Sequence, residues 1–191
     1  MIYLSSEFIR LFGFHEIFIR SSNHFGWVVF IHQNLSCTVR IWRQASKAIF
    51  LASSTNLINW EIIEDENGKP KPIFGAREGK FDSRLVESGP PAMITKKGIL
   101  LLYNSMNLHE NGFAGLPPDA YSAGQILMDK NDPSKVIGRT DENFMSPDKP
   151  YELTGQVNQV VFIEGLVYFK KKYFLYYGTA DSKIAVAVGN F

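Results

Sequence analysis

The stretch NQVVFIEGLVYFKKKYFLYYGTADSKIAVAVGN, residues 158–190, decides the fold. Two apolar runs, residues 160–169 and 173–177, flank a tight Lys170-Lys171-Lys172 turn. A corner of small residues carrying one acid, Gly178-Thr179-Ala180-Asp181, follows, and residues 183–188 then alternate cleanly. A period of two is that of a half-buried strand, so the stretch predicts three consecutive antiparallel strands. Asp181 lies where the second of them ends. By local pattern alone it reads either as a turn-capping aspartate or as a ligand for a sugar or a metal.

The same grammar recurs upstream. Residues 27–32 and 48–53 are short apolar runs, and Leu57-Ile58-Asn59-Trp60-Glu61-Ile62-Ile63 follows them. Residues 91–95 and 99–103 predict a hairpin around Lys96-Lys97-Gly98, with Gly98 supplying the positive φ. Residues 121–128 alternate less cleanly, and a turn at 131–135 leads into Val136-Ile137. No stretch longer than about ten residues holds a helical period, so the expected class is all-β. Residues 64–80 read as a polar loop, because Pro70 and Pro72 are excluded from a central strand. Residues 107–119, NLHENGFAGLPPD, form a Gly- and Pro-rich surface loop long enough to carry function.

Two of these sets share a layout. Each runs from an apolar strand through a Lys-rich turn into a strand ending in tyrosine and a small polar residue. Those endings are Tyr103-Asn104-Ser105 and Tyr176-Tyr177-Gly178, and a third strand with small residues comes next. Repeated antiparallel units at a spacing of about 70 residues point to a β-propeller, with a β-sandwich as the competing architecture.

Composition narrows the function. At 191 residues, 45% hydrophobic and 14% aromatic, the chain can bury a substantial core in one or two domains. A net charge of +1 gives no field for nucleic acid or an anionic membrane. The one cysteine, Cys37, rules out an internal disulfide, and the four histidines share no ligand spacing, so no metal site is expected. No run reaches the roughly 18 apolar residues of a membrane helix. The start, MIYLSSEFIRLFGFHEIFIR, is interrupted by Glu7 and Arg10 and lacks a basic leader, so a secretory signal is not expected. Both a cytoplasmic and a periplasmic location fit.

Chemistry concentrates at Phe81-Asp82-Ser83-Arg84-Leu85-Val86-Glu87-Ser88-Gly89-Pro90-Pro91, where two carboxylates and an arginine precede a strand. Carboxylates accept from sugar hydroxyls or act as acid or base, and arginine binds anions. The plainer reading pairs Asp82 with Arg84 at the surface.

The blocks FDSRLVESGPPAMITKKGILLLYNSMN, YSAGQILMDKNDPSKVIGRT and YELTGQVNQVVFIEGLVYFKKKYFLYYGTADSKIAVAV together resemble glycoside hydrolase family 130. That family contains β-mannoside phosphorylases and β-1,2-mannosidases on a five-bladed β-propeller. The blocks span residues 81–188, and LASSTNLINW upstream looks like the family's blade phrase, with Asn56 where aspartate is usual. The resemblance implies a partial propeller of about three blades over residues 48–191, behind an atypical segment, residues 1–47, that matches poorly. A complete five-bladed member needs about 300 residues. The family's Glu-Asp-Pro-Arg motif, which carries the general acid, does not occur here, and Glu16 sits in an unlike context.

Inverting cleavage of β-mannosides is the activity implied, with hydrolysis favoured over phosphorolysis; the alternative is an inactive carbohydrate-binding remnant or a gene fragment lacking the acid. By resemblance, Asp181 hydrogen-bonds the mannose and Tyr103 and Asn104 belong to the substrate site; Asp82 and Arg84 join that set from the cluster at 81–91, where Arg84 is placed to supply part of a phosphate-binding charge and so keeps phosphorolysis open. Asn104 stands where phosphorylases commonly carry a phosphate-binding histidine, and an amide cannot supply that charge. Glu87 is the candidate base that activates water on the face opposite the leaving group. Glu152 and Glu164 match family positions and read as supporting residues. The expected partner is a small oligosaccharide or β-mannoside, with no nucleic acid or membrane, and a homo-oligomer remains open. No cofactor is expected, and inorganic phosphate is a co-substrate only for phosphorolysis.

Overall fold

The structure, a computed structural model, describes residues 28–31, 38–44, 48–56 and 58–190. The alternating patterns become antiparallel strands in three sheets. The first contains β1 (Val28–Ile31), β2 (Thr38–Gln44), β3 (Ala48–Ser54), β4 (Glu61–Ile62) and β5 (Pro72–Gly75). Its order is β1-β2-β3, with β4 and β5 side by side along the other edge of β3. The second contains β6 (Leu85–Ser88), β7 (Met93–Ile94), β8 (Ile99–Met106), β9 (Tyr121–Met128) and β10 (Val136–Arg139), in the order β10-β9-β8-β6 with β7 also on β8. The third is the meander β11 (Val161–Phe169), β12 (Lys172–Thr179) and β13 (Lys183–Gly189).

The alternation along β8 explains how the sheets stack. Ile99, Leu101 and Tyr103 enter a core with Ile49, Leu51 and Phe74 of the first sheet. Leu102, from the other face, enters a second core with Val161, Ile163, Leu175 and Tyr177 of the third. A sheet buried on both faces needs a neighbour on each side, which is how successive blades of a β-propeller pack. Each such aliphatic side chain contributes about 1.5–3 kcal/mol by leaving water.

Most hairpins form where the sequence places them, and the departures have physical causes. Gly98 has φ 151° and closes the β7–β8 turn, where Thr95 donates its amide to the Gly98 carbonyl at 2.8 Å. At the β11–β12 turn, Phe169 pairs with Lys172, so the turn is two residues rather than three. Lys170 and Lys171 carry φ of 47° and 64°, the left-handed pair that matches the twist of the flanking strands. Of the run at 57–63, the described residues form only β4, because the Asn56 side chain accepts the amides of Ile58 and Asn59, at 2.9 and 2.8 Å, and bends the chain. The loop at 64–80 holds β5, in which Pro72 takes the first position of an edge strand and Phe74 is buried against β3. Strand β2, TVRIWRQ, had no reading of its own; its arginines interrupt an otherwise apolar alternation.

The second and third sheets share a buried device. Tyr103 on β8 donates its hydroxyl to Asp82, ahead of β6, at 2.7 Å. Tyr177 on β12 donates to Glu152, ahead of β11, at 2.8 Å. Each tyrosine ties the second strand of its sheet to the segment that leads into the first. Glu152 lies in a helical turn, α1 (Pro150–Leu153), and its other oxygen accepts the amides of Asp148 and Lys149 at 2.9 and 3.0 Å. Tyr177→Phe should therefore strand a buried carboxylate oxygen and cost about 1–3 kcal/mol. Chemical denaturation will read that loss; a change below about 0.5 kcal/mol, the usual scatter of surface substitutions, would disprove the device.

Candidate functional site

One end of the blades gathers the chemistry. Strands β6, β9, β11 and β13 begin there, and β8 and β12 end there. Tyr121, opening β9, bridges in parallel to Val160, ahead of β11, and donates its amide to the Gln159 carbonyl at 2.8 Å. The loop at 107–120 and the turn carrying Asp181 therefore open on the same end.

Asp181 occupies the β12–β13 turn, is exposed, and has φ 50°, beside buried Ala180 at φ 44°. The turn is gripped from outside. Val157 donates its amide to the Ala180 carbonyl at 3.3 Å, and Gln156 donates to Ser182 Oγ at 2.9 Å. Ser182 Oγ in turn donates to the Ala180 carbonyl at 2.9 Å. A short acid at left-handed φ in a clamped turn gives a fixed carboxylate facing solvent.

Arg84 and Asp82 do not pair, contrary to the plainer reading. Arg84 extends outward just before β6 and donates to Asp119, whose other oxygen takes the His109 Nδ1 contact at 2.6 Å. The hydrogen bond from His109, then the charge of Arg84, holds the Asp119 carboxyl below its ordinary pKa. Arg84, Leu108, His109, Glu110 and Asp119 line an open depression of about 420 Å³. Sequence reading passed over His109 and Asp119, although both lie in the Gly- and Pro-rich loop marked there as functional.

Asp82 faces inward and is fully buried. It receives Arg77 Nε and Nη2 at 3.1 and 3.0 Å, Arg139 Nη2 at 2.6 Å and the Tyr103 hydroxyl. Arg139 also donates to the Gly75 carbonyl at 2.8 Å, which ties the second sheet to β5 of the first. Burial raises the pKa of Tyr103, which stays a proton donor throughout the neutral range. The network requires glycine opposite it. A Cβ on Gly124 would lie 2.4 Å from Tyr103 Cζ and 2.7 Å from Phe81 Cζ. Gly124→Ala should push Tyr103 off Asp82 and cost about 1–3 kcal/mol, read as a lowered thermal midpoint.

Asn104 is also fully buried, and its amide is committed to neighbouring backbone. Its Oδ1 accepts the Ile163 amide at 2.7 Å, and its Nδ2 donates to the carbonyls of Ile163 at 3.0 Å and Ser88 at 3.4 Å. The residue expected near phosphate instead fastens β8 to β11. The contact falls at a bulge, since Ile163 pairs with Tyr177 and Gly165 with Tyr176, leaving Glu164 between them. Glu164 reaches solvent, while the protein around it raises its pKa above the ordinary glutamate value.

Glu87 pairs across strands with Asn104. Val86 enters the first core, so Glu87 faces the other way, toward the third sheet, and is half-buried. Like β11 in the third sheet, β6 is the first strand of its sheet's main path. Glu87 and Glu164 thus sit on the leading strands of adjacent blades, with Asn104 bonded between those strands. Among the described residues no group of three or more His, Cys, Asp or Glu side chains could hold a metal ion, and no helix is long and apolar enough to cross a membrane.

Comparison with known proteins identifies the family. The glycoside hydrolase family 130 model, described as β-1,4-mannooligosaccharide phosphorylase, matches residues 7–191. The match starts well ahead of the blocks in residues 81–188 and includes most of the segment expected to fit poorly. A 1,2-β-oligomannan phosphorylase from Thermoanaerobacter sp. is 33% identical over 140 residues, which is 73% of this chain and 42% of that protein. A glycosyl hydrolase from Bacteroides ovatus superposes with TM-score 0.79 at 41% identity, over 87% of this chain and 48% of that structure. A solved member described among the glycoside hydrolases that target β-1,2 mannosidic linkages in Candida mannan gives TM-score 0.80 at 40% identity, over 87% and 48%. The chain therefore spans under half the length of each of these relatives, and its sheets are blades of the five-bladed propeller type.

Proposed function

The chain belongs to glycoside hydrolase family 130, and from that premise we propose that its site cleaves β-mannosides with inversion, using water as the nucleophile. The observation that carries this reading is Glu87, a half-buried carboxylate on a leading strand at the charged end of the blades. Glu87 takes a proton from water as the water oxygen bonds to the anomeric carbon. The bond from that carbon to the leaving oxygen breaks, and the leaving oxygen takes up a proton. Asp181 accepts hydrogen bonds from mannose hydroxyls, and Arg84 borders the site. Asp82, Tyr103 and Asn104 act from behind, by holding β6, β8 and β11 in register.

No Glu-Asp-Pro-Arg motif occurs in the 191 residues, so the proton for a sugar leaving group has no donor of that type in this sequence. An aryl leaving group of low pKa departs without one. The discriminating experiment compares dinitrophenyl β-mannoside with β-1,2-mannobiose, each with and without phosphate. We expect phosphate-independent release of α-mannose from the aryl mannoside and much slower cleavage of the disaccharide. Strict dependence on phosphate would sink the choice of water. The absent motif also favours a second reading, a mannoside-binding remnant, for which calorimetry would record saturable binding with no turnover of either substrate.

A further inference from the structure

The depression beside Arg84 carries a specificity device, and the inference rests on the hydrolytic reading above. Both carboxylate oxygens of Asp119 are engaged, one by Arg84 and one by His109. A second carboxylate, Glu110, lines the same depression, which leaves two acids against one arginine. Arg84 is the group here that would draw an inorganic anion, and its charge is already matched.

The blocking carboxylate is held by its loop. Asn107, buried at the end of β8, accepts the Phe113 amide at 2.8 Å and donates to the carbonyls of Phe113, Leu116 and Pro117 at 3.1, 3.1 and 3.2 Å. Its own amide bonds the Ala120 carbonyl at 3.0 Å, closing the loop directly after Asp119. Ser83, adjacent to Arg84, donates its hydroxyl to Asn107 at 3.1 Å, so one buried amide sets the position of both partners. Asp119 itself sits at φ 61°, a conformation that aspartate and asparagine tolerate better than most residues.

We propose that Asp119 is a specificity residue that denies the Arg84 pocket to inorganic phosphate and leaves it to uncharged sugar hydroxyls, which donate to carboxylates. The test is titration of the whole chain with inorganic phosphate alone, followed by calorimetry and phosphorus NMR at low salt. Wild type should show no saturable binding in the low millimolar range. Asp119→Asn, which suits the same backbone, should bind phosphate up to about fivefold more tightly, the upper range of an exposed ion pair. Adding Arg84→Gln to it should abolish the gain. Glu110→Gln, outside the hydrogen-bonded group, should give a smaller increase of about twofold, and it keeps the question decidable if Asp119→Asn does not fold. Saturable low-millimolar phosphate binding by wild type would overturn the proposal. So would a gain that survives removal of Arg84, or unchanged affinity in a folded Asp119→Asn or in Glu110→Gln. The titration involves no mannoside and no turnover, so its outcome is separate from that of the cleavage assay.

Discussion

Asp82→Ala is expected to lower the unfolding free energy by about 3–5 kcal/mol, the cost of breaking a buried ion pair by removing one partner. The carboxylate is fully enclosed, and the Arg139 side chain bonded to it is only 12% exposed. Its loss leaves that guanidinium and the Tyr103 hydroxyl in the core without the acceptor they were built around. Arg77 suffers less, because at 25% exposure it reaches water and keeps Asp141 and the Thr140 carbonyl. Domains of this size are stable by about 5–15 kcal/mol in all, so the variant should populate unfolded chain readily. Urea denaturation of Asp82→Ala and Asp82→Asn separates the causes. Asparagine keeps the shape and one acceptor but removes the charge, so it should recover only part of the loss. If Asp82→Ala stayed within 1 kcal/mol of wild type, the network would not be what joins the first and second sheets.

That network marks the boundary between what the sequence displays and what it conceals. Hairpins are local: Gly98, the lysine turns and the alternation after Asp181 announce β7–β8 and β11–β13 from neighbouring residues alone. Loop character was equally legible, although the loop at 64–80 hid β5, since Ile73-Phe74 is too short a run to announce a strand. Partners distant in sequence left no local trace. Asp82 meets Arg139, 57 residues away, and nothing in DPSKVIGRT identifies its arginine as a core residue. Asn104 read as a weakened phosphate ligand because family resemblance aligns positions and not contacts. Only the stacking of the second sheet on the third reveals that its amide is spent on Ile163. Arg84 and Asp82, two residues apart, looked like partners, yet side chains two apart at the entry to β6 part company, one outward and one inward.

The largest effect on activity is expected at Glu87. With dinitrophenyl β-mannoside, Glu87→Gln should lose about 10²–10⁴-fold in turnover, the usual contribution of a positioned general base, with little change in mannoside affinity. Glutamine preserves the side chain's size and its cross-strand position opposite Asn104, so the fold should survive and the loss will report chemistry. Azide supplies the sharper readout. It attacks without surrendering a proton, so it should restore release in Glu87→Gln and yield the α-mannosyl azide, the product of inversion. Glu164 provides the internal comparison, since it lies on the adjacent leading strand at a bulge rather than within a ladder. Glu164→Gln should cost less than tenfold, and azide should not improve it. A reversal, with Glu87→Gln near wild type and Glu164→Gln rescued by azide, would move the base to the bulge on β11. The distinction has a structural basis. Glu87 is fixed by a regular strand pair, and Asn104, opposite it on β8, fastens that pair to β11 of the neighbouring sheet, whereas Glu164 has no opposite residue on β12 to hold its direction. A base must stay aligned with water through the transition state, and the strand residue is the one held in place.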